Sequence, residues 1–561
     1  MRNLKRIAHV YPIPGGGVQQ YAQTLINGLH ELDPDLDIAH FIAVKNMEDK
    51  YEFGGDFVSN VAVQDTLTLN HSLLNDCVNP VVERRFQQLL DAFRPDLVHF
   101  HDLTYLGASL IGLVHDRGIP AIVTIHDYWF ICPRSFLITR DFAHCNGPNA
   151  GANCLQCIDY SDRLQPELLM QSMYRHHFMK QMLNDKAARV LVVSDSVKRT
   201  LAREGVSPDK LIRIYPAVHR PGMALTEKSA SEVTHIGYIG AVSPHKGLHV
   251  LLDACRSLDP QLFRLSVYGV QDSLYHTSLQ ALARDMRNIT FYGPYNQEEL
   301  DRILNTIDVL VVPSICPETG PLVVQEALRR KVPVIGSNIG GIPEYVSSDY
   351  GALFEAGNSS ELRRILTEVL HFPGILAEWK NKIPELGDVR TFVRLVRQVY
   401  AEVLDGPIAG VAKPVHPEHR KRLGSYDRGF LRRPFLSYQL EAIYQMLDQS
   451  GIQRLVIFGT GALGIQVAAH AEARGYHIVA FADNNADKHG TILSDIPVIE
   501  PNRLAGMTQV QAIVIASDWE PEICQQVIKI RSDIPVVGLY GYDPRISESG
   551  ADHERNCGRH L

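Results

Sequence analysis

Two glutamates, Glu318 and Glu326, stand at the start of a predicted helix, where their carboxylates could bind hydroxyl groups. The apolar run 308–313 predicts a buried strand, and the residues after Gly320-Pro321 predict a helix. Glu318 therefore falls in the loop between strand and helix, and Glu326 falls within the helix. A carboxylate accepts hydrogen bonds from two neighbouring hydroxyls, as a ribose or a sugar ring presents them. The pair indicates a sugar-binding site, although two glutamates near a helix also occur by chance.

The same helix start suits a phosphate group. The first turn of a helix leaves backbone N–H groups without a partner, in this case those of Leu322 and Val323, and such groups bind anions. Lys246 precedes a second predicted helix, in the segment GAVSPHKGLHVLL. A cation at that point would neutralise donor phosphates and stabilise a leaving nucleoside diphosphate. The alternative for Lys246 is an ordinary surface lysine.

Further candidates lie in the first half of the chain, directly after predicted strands. Gly16 and Gly17 follow the first strand, and glycine lets the backbone approach a phosphate or sugar closely. His126 follows the apolar run 121–125 and is either a structural hydrogen-bonding residue or part of the site. Ligands of parallel sheets bind outside the carboxyl ends of the strands, so we expect these residues to line one crevice.

The elements that must position these residues form an α/β protein. Short apolar runs alternate with helical patterns, which is typical of parallel strands buried on both faces. We predict Rossmann-like domains over 1–220 and 233–404, a smaller third one over 435–546, a linker over 405–434 and a tail over 547–561. The predicted strands of the first two domains are 5–11, 97–100, 121–125, 190–193, 235–239, 265–268, 309–312 and 332–335.

Residues 6–404 resemble the retaining glycosyltransferases of family 4, which have the two-domain GT-B fold. The matching motifs occur in order: GGGVQQYAQTL, PDLVHFHD, TIHDYWFICPR, VVSDSVKRTL, GYIGAVSPHKGLHVLL, FYGPY, ETGPLVVQEALRRKVPVI and GGIPEYV. Seven residues separate Glu318 from Glu326, as in the family's E-x7-E motif. The resemblance implies that Glu318 faces the donor sugar, Glu326 the ribose and Lys246 the diphosphate. It also implies that His126 lines the cleft near the transferred sugar, and that the glycine loop closes over the diphosphate.

The resemblance further implies a hexosyltransferase with a retaining mechanism. The donor would be a UDP- or GDP-linked sugar, the acceptor a hydroxyl of a saccharide or lipid-linked molecule, and the process polysaccharide or glycolipid assembly. The family generally needs no divalent metal, so no cofactor is expected for transfer. The diphosphate-binding arginine usually found near Ala241 is absent. Two alternatives are a non-catalytic nucleotide-sugar sensor or scaffold and a GT-B epimerase or phosphorylase.

Four of the nine cysteines cluster in a loop-rich insertion over about 130–160, directly after His126. Four thiolates could bind a structural Zn²⁺ and order this insertion, which we expect to shape the acceptor side. Free reduced thiols and redox-sensitive disulfides are the alternatives. The four residues are Cys132, Cys145, Cys154 and Cys157.

The third unit carries a second nucleotide-binding pattern. Gly459, Gly461 and Gly464 form G-x-G-x-x-G after a strand and at a helix start, and Asp483 ends the next strand. This is the dinucleotide-binding fingerprint in its expected context. Residues 455–516 also resemble the nucleotide-binding unit attached to sugar-modifying dehydratases and acyltransferases. We expect a binding or regulatory module for NAD(P) or another nucleotide rather than a second catalytic site.

Composition narrows the class of protein. Hydrophobic residues make up 45% and charged residues 21% of the 561 residues, as is usual for globular proteins. The net charge of -8 argues against general nucleic-acid binding. No apolar run reaches the ~18 residues of a membrane-spanning helix. The start, MRNLKRIAHVYPIPGGG, reads as a strand and a glycine turn rather than a signal peptide, so we expect a cytoplasmic protein.

The linker has a different character from the domains. It holds several prolines and glycines, and six basic residues are concentrated over 420–433. A solvated connector is one interpretation. The other is a peripheral docking patch for an anionic membrane, where a lipid-linked acceptor would be met. The residues of this basic run are Arg420, Lys421, Arg422, Arg428, Arg432 and Arg433.

Overall fold

A computed structural model describes residues 4–12, 16–44, 57–62, 73–158, 166–218, 233–270, 273–405, 440, 443–444, 447–448, 450–517 and 520–538. The predicted linker beyond residue 405 and the predicted tail over 547–561 lie outside the described residues. The helices in the described part of the chain are all too short or too polar to cross a membrane.

The first domain is built on a seven-stranded, all-parallel sheet in the order β3-β2-β1-β4-β5-β6-β7. The strand order reverses between β1 and β4, and ligands of such sheets bind at this reversal. The strands are β1 Arg6–Tyr11, β2 Asp37–Val44, β3 Phe57–Ala62, β4 Leu97–Phe100, β5 Ala121–Ile125, β6 Arg189–Val192 and β7 Leu211–Arg213. The helices are α1 Gly16–Leu32, α2 Leu73–Cys77, α3 Pro80–Phe93, α4 Ser109–Asp116, α5 Leu155–Ile158, α6 Pro166–Gln181 and α7 Asp195–Arg203.

The second domain repeats this plan with six parallel strands in the order β10-β9-β8-β11-β12-β13. Its order reverses between β8 and β11, which precede the loops of Lys246 and Glu318. The strands are β8 Thr234–Ile239, β9 Phe263–Tyr268, β10 Ile289–Gly293, β11 Val309–Val312, β12 Val334–Ser337 and β13 Gly351–Phe354. The helices are α8 Leu248–Cys255, α9 Ser273–Leu282, α10 Gln297–Thr306, α11 Leu322–Arg329, α12 Ser359–His371, α13 Gly374–Lys382 and α14 Val389–Asp405.

Helix α14 packs on the first domain, although it follows the second in sequence. Its buried face, which includes Phe392 and Tyr400, belongs to the hydrophobic core of the first domain. A Cβ at Gly28 of α1 would lie 2.5 Å from a methyl carbon of Val393, so the two helices meet at a position that only glycine fits. The predicted boundary at residue 404 assigned α14 to the second domain. The apolar face of α14 instead completes the first core.

The third domain is a smaller six-stranded sheet in the order β16-β17-β15-β14-β18-β19. Its strands are parallel except β16, which pairs antiparallel with β17. The strands are β14 Arg454–Phe458, β15 His477–Ala482, β16 Ile492–Leu493, β17 Ile496–Ile499, β18 Ala512–Ile515 and β19 Val536–Gly538, and the helices are α15 Ala462–Ala473 and α16 Glu520–Ile530. The prediction of two Rossmann-like domains and a third, smaller one is thereby confirmed.

Candidate functional site

Glu318 and Lys246 meet at the carboxyl ends of the adjacent strands β8 and β11. Lys246 Nζ lies 2.7 Å from Glu318 Oε1, and Ser314 Oγ donates to the same oxygen at 2.6 Å. The Glu318 side chain is 14% exposed and that of Lys246 is 30% exposed. Lys246 is therefore not an ordinary surface lysine, and the structure brings these two sequence-predicted residues together.

The electrostatics of this pair keep both groups charged. Burial alone would raise the pKa of the Glu318 carboxyl, but the charge and hydrogen bonds of Lys246 and Ser314 outweigh it and lower this pKa. Burial alone would lower the pKa of Lys246, but the carboxylate of Glu318 raises it instead. A half-buried cation beside a carboxylate is available for a phosphate at neutral pH.

The motif GGIPEYV, which follows β12, holds the backbone of Glu318 in place. Gly341 N donates to Glu318 O at 2.6 Å. Gly340 has φ +61°, and a Cβ there would lie 2.3 Å from Glu318 O, so the close approach requires glycine. The position of the Glu318 loop thus depends on the next loop of the sheet.

The glycine loop of the first domain faces the N-terminus of α11 in the second. A Cβ at Gly17 would lie 3.5 Å from Leu322 Cδ1, and Gly16 has φ +61°. Helix α11 begins at Leu322, so Leu322 and Val323 are in its first turn. Glu326 is 4% exposed, and its Oε1 accepts a 2.6 Å hydrogen bond from Gln20 Nε2 of α1. The predicted ribose-binding carboxylate is therefore bonded across the crevice.

His126 lies on the opposite wall of the crevice. Its carbonyl oxygen accepts a 2.5 Å hydrogen bond from Oγ1 of Thr319, which directly follows Glu318. Its ring meets Tyr21 edge-on at 4.5 Å between centroids. Burial lowers the pKa of His126 to about 3, so the ring is neutral at physiological pH. Its Nε2 is buried and has no hydrogen-bond partner among the described residues.

Glu344 of the GGIPEYV motif closes the crevice at another point. Its carboxylate accepts hydrogen bonds from Asp195 N at 2.9 Å and Ser196 N at 2.7 Å, the first residues of α7 in the first domain. Tyr215 OH donates to it at 2.9 Å. A carboxylate at a helix N-terminus satisfies unpaired N–H groups and is stabilised by the helix dipole. This contact holds the two domains together beside the site.

A cavity of about 440 Å³ lies in the first domain where the strand order reverses. Tyr11 at the end of β1, Asp102 after β4 and Asp127 after β5 line it, together with the insertion residues Arg134 and Phe136. Phe136 also stacks on His245 of the second domain, with ring centroids 4.1 Å apart. The cavity therefore adjoins the Lys246 loop.

Comparison with known proteins indicates the family of the two domains that form this crevice. A sequence model described as "Glycosyltransferase Family 4" matches residues 15–220, and one described as "Glycosyl transferases group 1" matches residues 226–385. The two matches cover the domains that form the crevice. The chain belongs to the family 4 type of GT-B glycosyltransferases. A third model, "C2185-like, N-terminal", matches residues 451–534 of the third domain.

Individual proteins resemble parts of this chain. The amylovoran biosynthesis glycosyltransferase AmsK of Erwinia amylovora is 27% identical over 179 residues, which are 30% of this chain and 41% of AmsK. The chain spans about half the length of the curated relatives it matches.

Two solved structures share the GT-B fold with this family member. The Anabaena protein HepE, in complex with UDP and glucose, has a TM-score of 0.51 at 16% identity, over 71% of this chain and 100% of HepE. Sucrose-phosphate synthase of Thermosynechococcus elongatus has a TM-score of 0.54 at 17% identity, over 71% of this chain and 99% of the synthase. At these identities the likeness establishes the fold alone.

The cysteine insertion contains four free thiols. Cys132 and Cys154 are buried, and Cys145 and Cys157 are partly exposed. Burial, with smaller contributions from the nearby thiols of Cys132 and Cys145, raises the pKa of Cys154 to about 12. The structure thus brings three of the four near one another, and a structural zinc stays a prediction.

The tightest group of metal-ligand side chains lies elsewhere. Among the described residues, His9, His99 and His101 form a group whose ligand atoms all lie within 4.8 Å of one another. His9 Nδ1 is 2.9 Å from His101 Nε2, while the two ring nitrogens of His99 bond to Tyr400 OH at 2.6 Å and Thr124 Oγ1 at 2.7 Å. These contacts make the group a buried hydrogen-bonded cluster beneath the crevice.

The third domain has the geometry of the predicted glycine fingerprint. Gly459 has φ +116°, and a Cβ at Gly464 would lie 1.9 Å from Gly459 O. Gly461 precedes α15, and a Cβ there meets no described atom within 4 Å. Asp483 Oδ2 accepts from Thr460 N at 3.2 Å and from Lys488 Nζ at 3.0 Å. The glycines leave room before α15, and nucleotide binding there stays a prediction.

Several residues of the crevice were not singled out from the sequence. Ser314 contacts Glu318 and Gln20 contacts Glu326, while Glu344 bridges the two domains and Arg134 lines the adjoining cavity. Gln20, Glu344 and Arg134 lie within motifs that carried the family resemblance, so their position in the motifs was the available signal.

Proposed function

We propose that this chain transfers a hexosyl group from a UDP-linked sugar to a hydroxyl of a saccharide acceptor, with retention of anomeric configuration, in polysaccharide assembly. The observation that carries the proposal is the Lys246–Glu318 ion pair at the N-terminal end of α11, opposite the glycine loop. UDP and glucose occur in the complex of HepE, which shares the fold, and AmsK takes part in amylovoran biosynthesis.

The donor would lie between the two domains. The first N–H groups of α11 and the Lys246 ammonium would bind the diphosphate, because a helix N-terminus and a half-buried cation both favour anions. Glu318 would accept hydrogen bonds from the hydroxyls of the sugar, and Glu326 those of the ribose. Ribose binding would require Glu326 to exchange its bond with Gln20 for bonds to the ligand.

The reaction would depend on stabilising the leaving group. The bond from the anomeric carbon to the diphosphate oxygen breaks, and the acceptor oxygen bonds to that carbon on the same face. The acceptor proton passes to the departing diphosphate oxygen. Lys246 and the α11 N–H groups stabilise the charge that develops on this oxygen. Because the proton is taken by the leaving group, no separate base is needed.

His126 would contribute as a neutral hydrogen-bonding group. Burial lowers its pKa to about 3, so the ring carries no charge when the reaction runs. Its Nε2, which has no partner among the described residues, is available to a hydroxyl of the transferred sugar. A bond that is made only when the sugar is bound would orient the anomeric carbon toward the acceptor.

The test is a donor panel with a matched lysine control. UDP- and GDP-sugars are incubated with saccharide and lipid-linked acceptors, nucleotide release is measured, and the anomeric configuration of the product is read by NMR. We expect release from at least one UDP-sugar and its loss in Lys246→Ala. Lys186→Ala is the control, since Lys186 forms a part-buried ion pair with Asp116 at 3.1 Å before β6, at the opposite end of the sheet.

Three results would contradict the proposal in whole or in part. UDP binding without release above background, for every donor and acceptor, would favour the sensor or scaffold. A product of inverted configuration would overturn the retaining mechanism while leaving transfer intact. Release that depends on free phosphate rather than an acceptor alcohol would favour a phosphorylase.

A further inference from the structure

The 440 Å³ cavity of the first domain is separate from the residues assigned to the donor but opens next to them. Tyr11, Asp102 and Asp127 lie at the carboxyl ends of three neighbouring strands, where the sheet leaves space for a ligand. Phe136 lines the cavity and stacks on His245, which directly precedes Lys246. A molecule in the cavity would therefore lie beside the sugar of a bound donor.

The cavity contains a cation that lacks a full set of partners. Arg134 lines the cavity, and its Nη1 is buried with no hydrogen-bond partner in the described part of the chain. Burial and the positive charges of Lys246 and Arg134 lower the pKa of His245 to about 4, so the charge of Arg134 acts across the crevice. A buried guanidinium N–H without a partner is costly, and an anionic ligand would satisfy it.

The Asp127 carboxyl does not neutralise this cation at neutral pH. Burial, together with the charge of the neighbouring Asp102, raises the pKa of Asp127 to about 8, although hydrogen bonds from Trp129 and Ser135 and the charge of Arg175 lower it in part. The Asp127 carboxyl therefore holds a proton at pH 7. Its Oδ1 accepts from Trp129 N at 2.7 Å. A protonated carboxyl in the wall is a hydrogen-bond donor and does not repel an anion.

Aromatic side chains shape the rest of the wall. Tyr11, Tyr105, Trp129 and Phe136 line the cavity, and Phe136 is 38% exposed. Aromatic faces pack against the apolar faces of a ring and leave its hydroxyls to the polar residues. The combination of aromatic rings, carboxyl groups and an arginine suits a sugar ring with a charged substituent.

We propose that this cavity binds the acceptor and that Arg134 binds an anionic group on it, which makes the acceptor an acidic saccharide. This inference rests on the proposed function. The anionic group would be either the carboxylate of a uronic acid or a phosphate attached to the sugar. Both present oxygens to a guanidinium in the same way, and the planar fork of arginine suits either one.

The test compares acceptors that differ only in charge. Transfer from the active UDP-sugar is measured to a methyl hexoside, to the matching methyl hexuronoside and to the hexose 1-phosphate. We expect the wild-type protein to prefer one of the two anionic acceptors over the neutral one. Arg134→Gln should raise the KM for the preferred anionic acceptor about 10- to 100-fold, which corresponds to the loss of a charge-assisted hydrogen bond. The KM for the neutral acceptor should change little, and Arg134→Lys should restore part of the preference.

A pH profile separates a binding role from a structural one. Asp127 gains a negative charge as the pH rises through about 8, so the KM for the anionic acceptor should rise over that interval. Asp127→Asn keeps this side chain uncharged and should remove the rise. The KM for the neutral acceptor should show no such dependence in either protein.

Three outcomes would overturn the inference. The first is a wild-type preference for the neutral acceptor. The second is an equal rise in KM for all acceptors in Arg134→Gln. The third is a loss of UDP affinity in Arg134→Gln, which would show that the arginine acts on the donor. UDP binding and UDP-sugar hydrolysis without acceptor serve as the folding control. If no donor releases UDP in wild type, the proposed function itself fails, and this is distinguishable from a failure of acceptor preference alone.

Discussion

Acid should destabilise the first domain through its buried histidine cluster, and His99 allows the effect to be measured. His99 is fully buried, and its two ring nitrogens bond to Tyr400 OH and Thr124 Oγ1. Burial, with a smaller contribution from nearby His126, lowers the pKa of His99 to about 3. Burial also lowers the pKa values of His9 and His101. The cluster is therefore neutral in the folded protein.

The direction and size of the effect follow from proton linkage. An unfolded histidine has a pKa of ~6.5, so between that pH and about 3 the unfolded chain binds one more proton at His99 than the folded chain. The contribution of neutral His99 to stability is complete above pH ~6.5 and is lost as the pH falls below it. The loss is ~1.4 kcal/mol per pH unit, or about 3 kcal/mol at pH 4.5.

Urea unfolding of the first domain at several pH values from 7.5 to 4.5 measures this slope. His99→Gln should reduce the pH dependence of the free energy of unfolding by ~1.4 kcal/mol per pH unit below pH 6.5, whatever its effect at pH 7.5. His144→Gln is the control, because His144 is exposed. The raised pKa of Asp127 increases the free energy of unfolding as the pH falls, which opposes the effect of His99. This contribution is the same in variant and wild type, so it cancels when their pH profiles are compared. Parallel pH profiles for wild type and His99→Gln would refute the reasoning.

Three further predictions concern the donor site, the insertion and the third domain. Lys246→Ala should lower turnover of the active donor by about 10²- to 10³-fold, and Glu326→Ala should mainly raise the donor KM. Unchanged kinetics in both variants would contradict the assignment of these residues to the donor site. The purified protein should contain close to one zinc per chain by metal analysis, and Cys154→Ser should lose it; metal-free wild-type protein with reactive thiols would contradict this. Gly461→Val should abolish NADH binding measured by fluorescence, because its side chain would occupy the room left for the dinucleotide. It should not unfold the domain, because a Cβ at Gly461 meets no described atom within 4 Å. NADH binding that survives would refute a dinucleotide site at these glycines.

Elements with a strong local signal were predictable from sequence. Every predicted strand of the first two domains is present, because each is a short apolar run at a buried position of a parallel sheet. Strand β10 gives a weaker signal because it lies at a sheet edge, where its residues alternate between partly buried and exposed. Local patterns thus identify central strands better than edge strands.

Contacts between domains were not predictable in the same way. The strand ends placed Glu318 beside Lys246, since both follow adjacent strands of one sheet. The bond from Gln20 to Glu326 and the bonds from Glu344 to the start of α7 depend on how two separately folded domains are oriented. The packing of α14 on α1 also depends on this orientation, since an amphipathic face does not specify which core it joins. Sequence periodicity carries no information on that choice.

The return of α14 to the first domain has a consequence for how the chain moves. Residue 405, where α14 ends and the path to the third domain begins, is anchored on the first domain through Tyr400 and His99 and through the 2.7 Å bond from Arg397 to Asp33. If the crevice opens to admit a donor, the half that carries Glu318 and Lys246 swings relative to this anchor. The chain then leaves for the third domain from a helix that stays with the first domain rather than with the second.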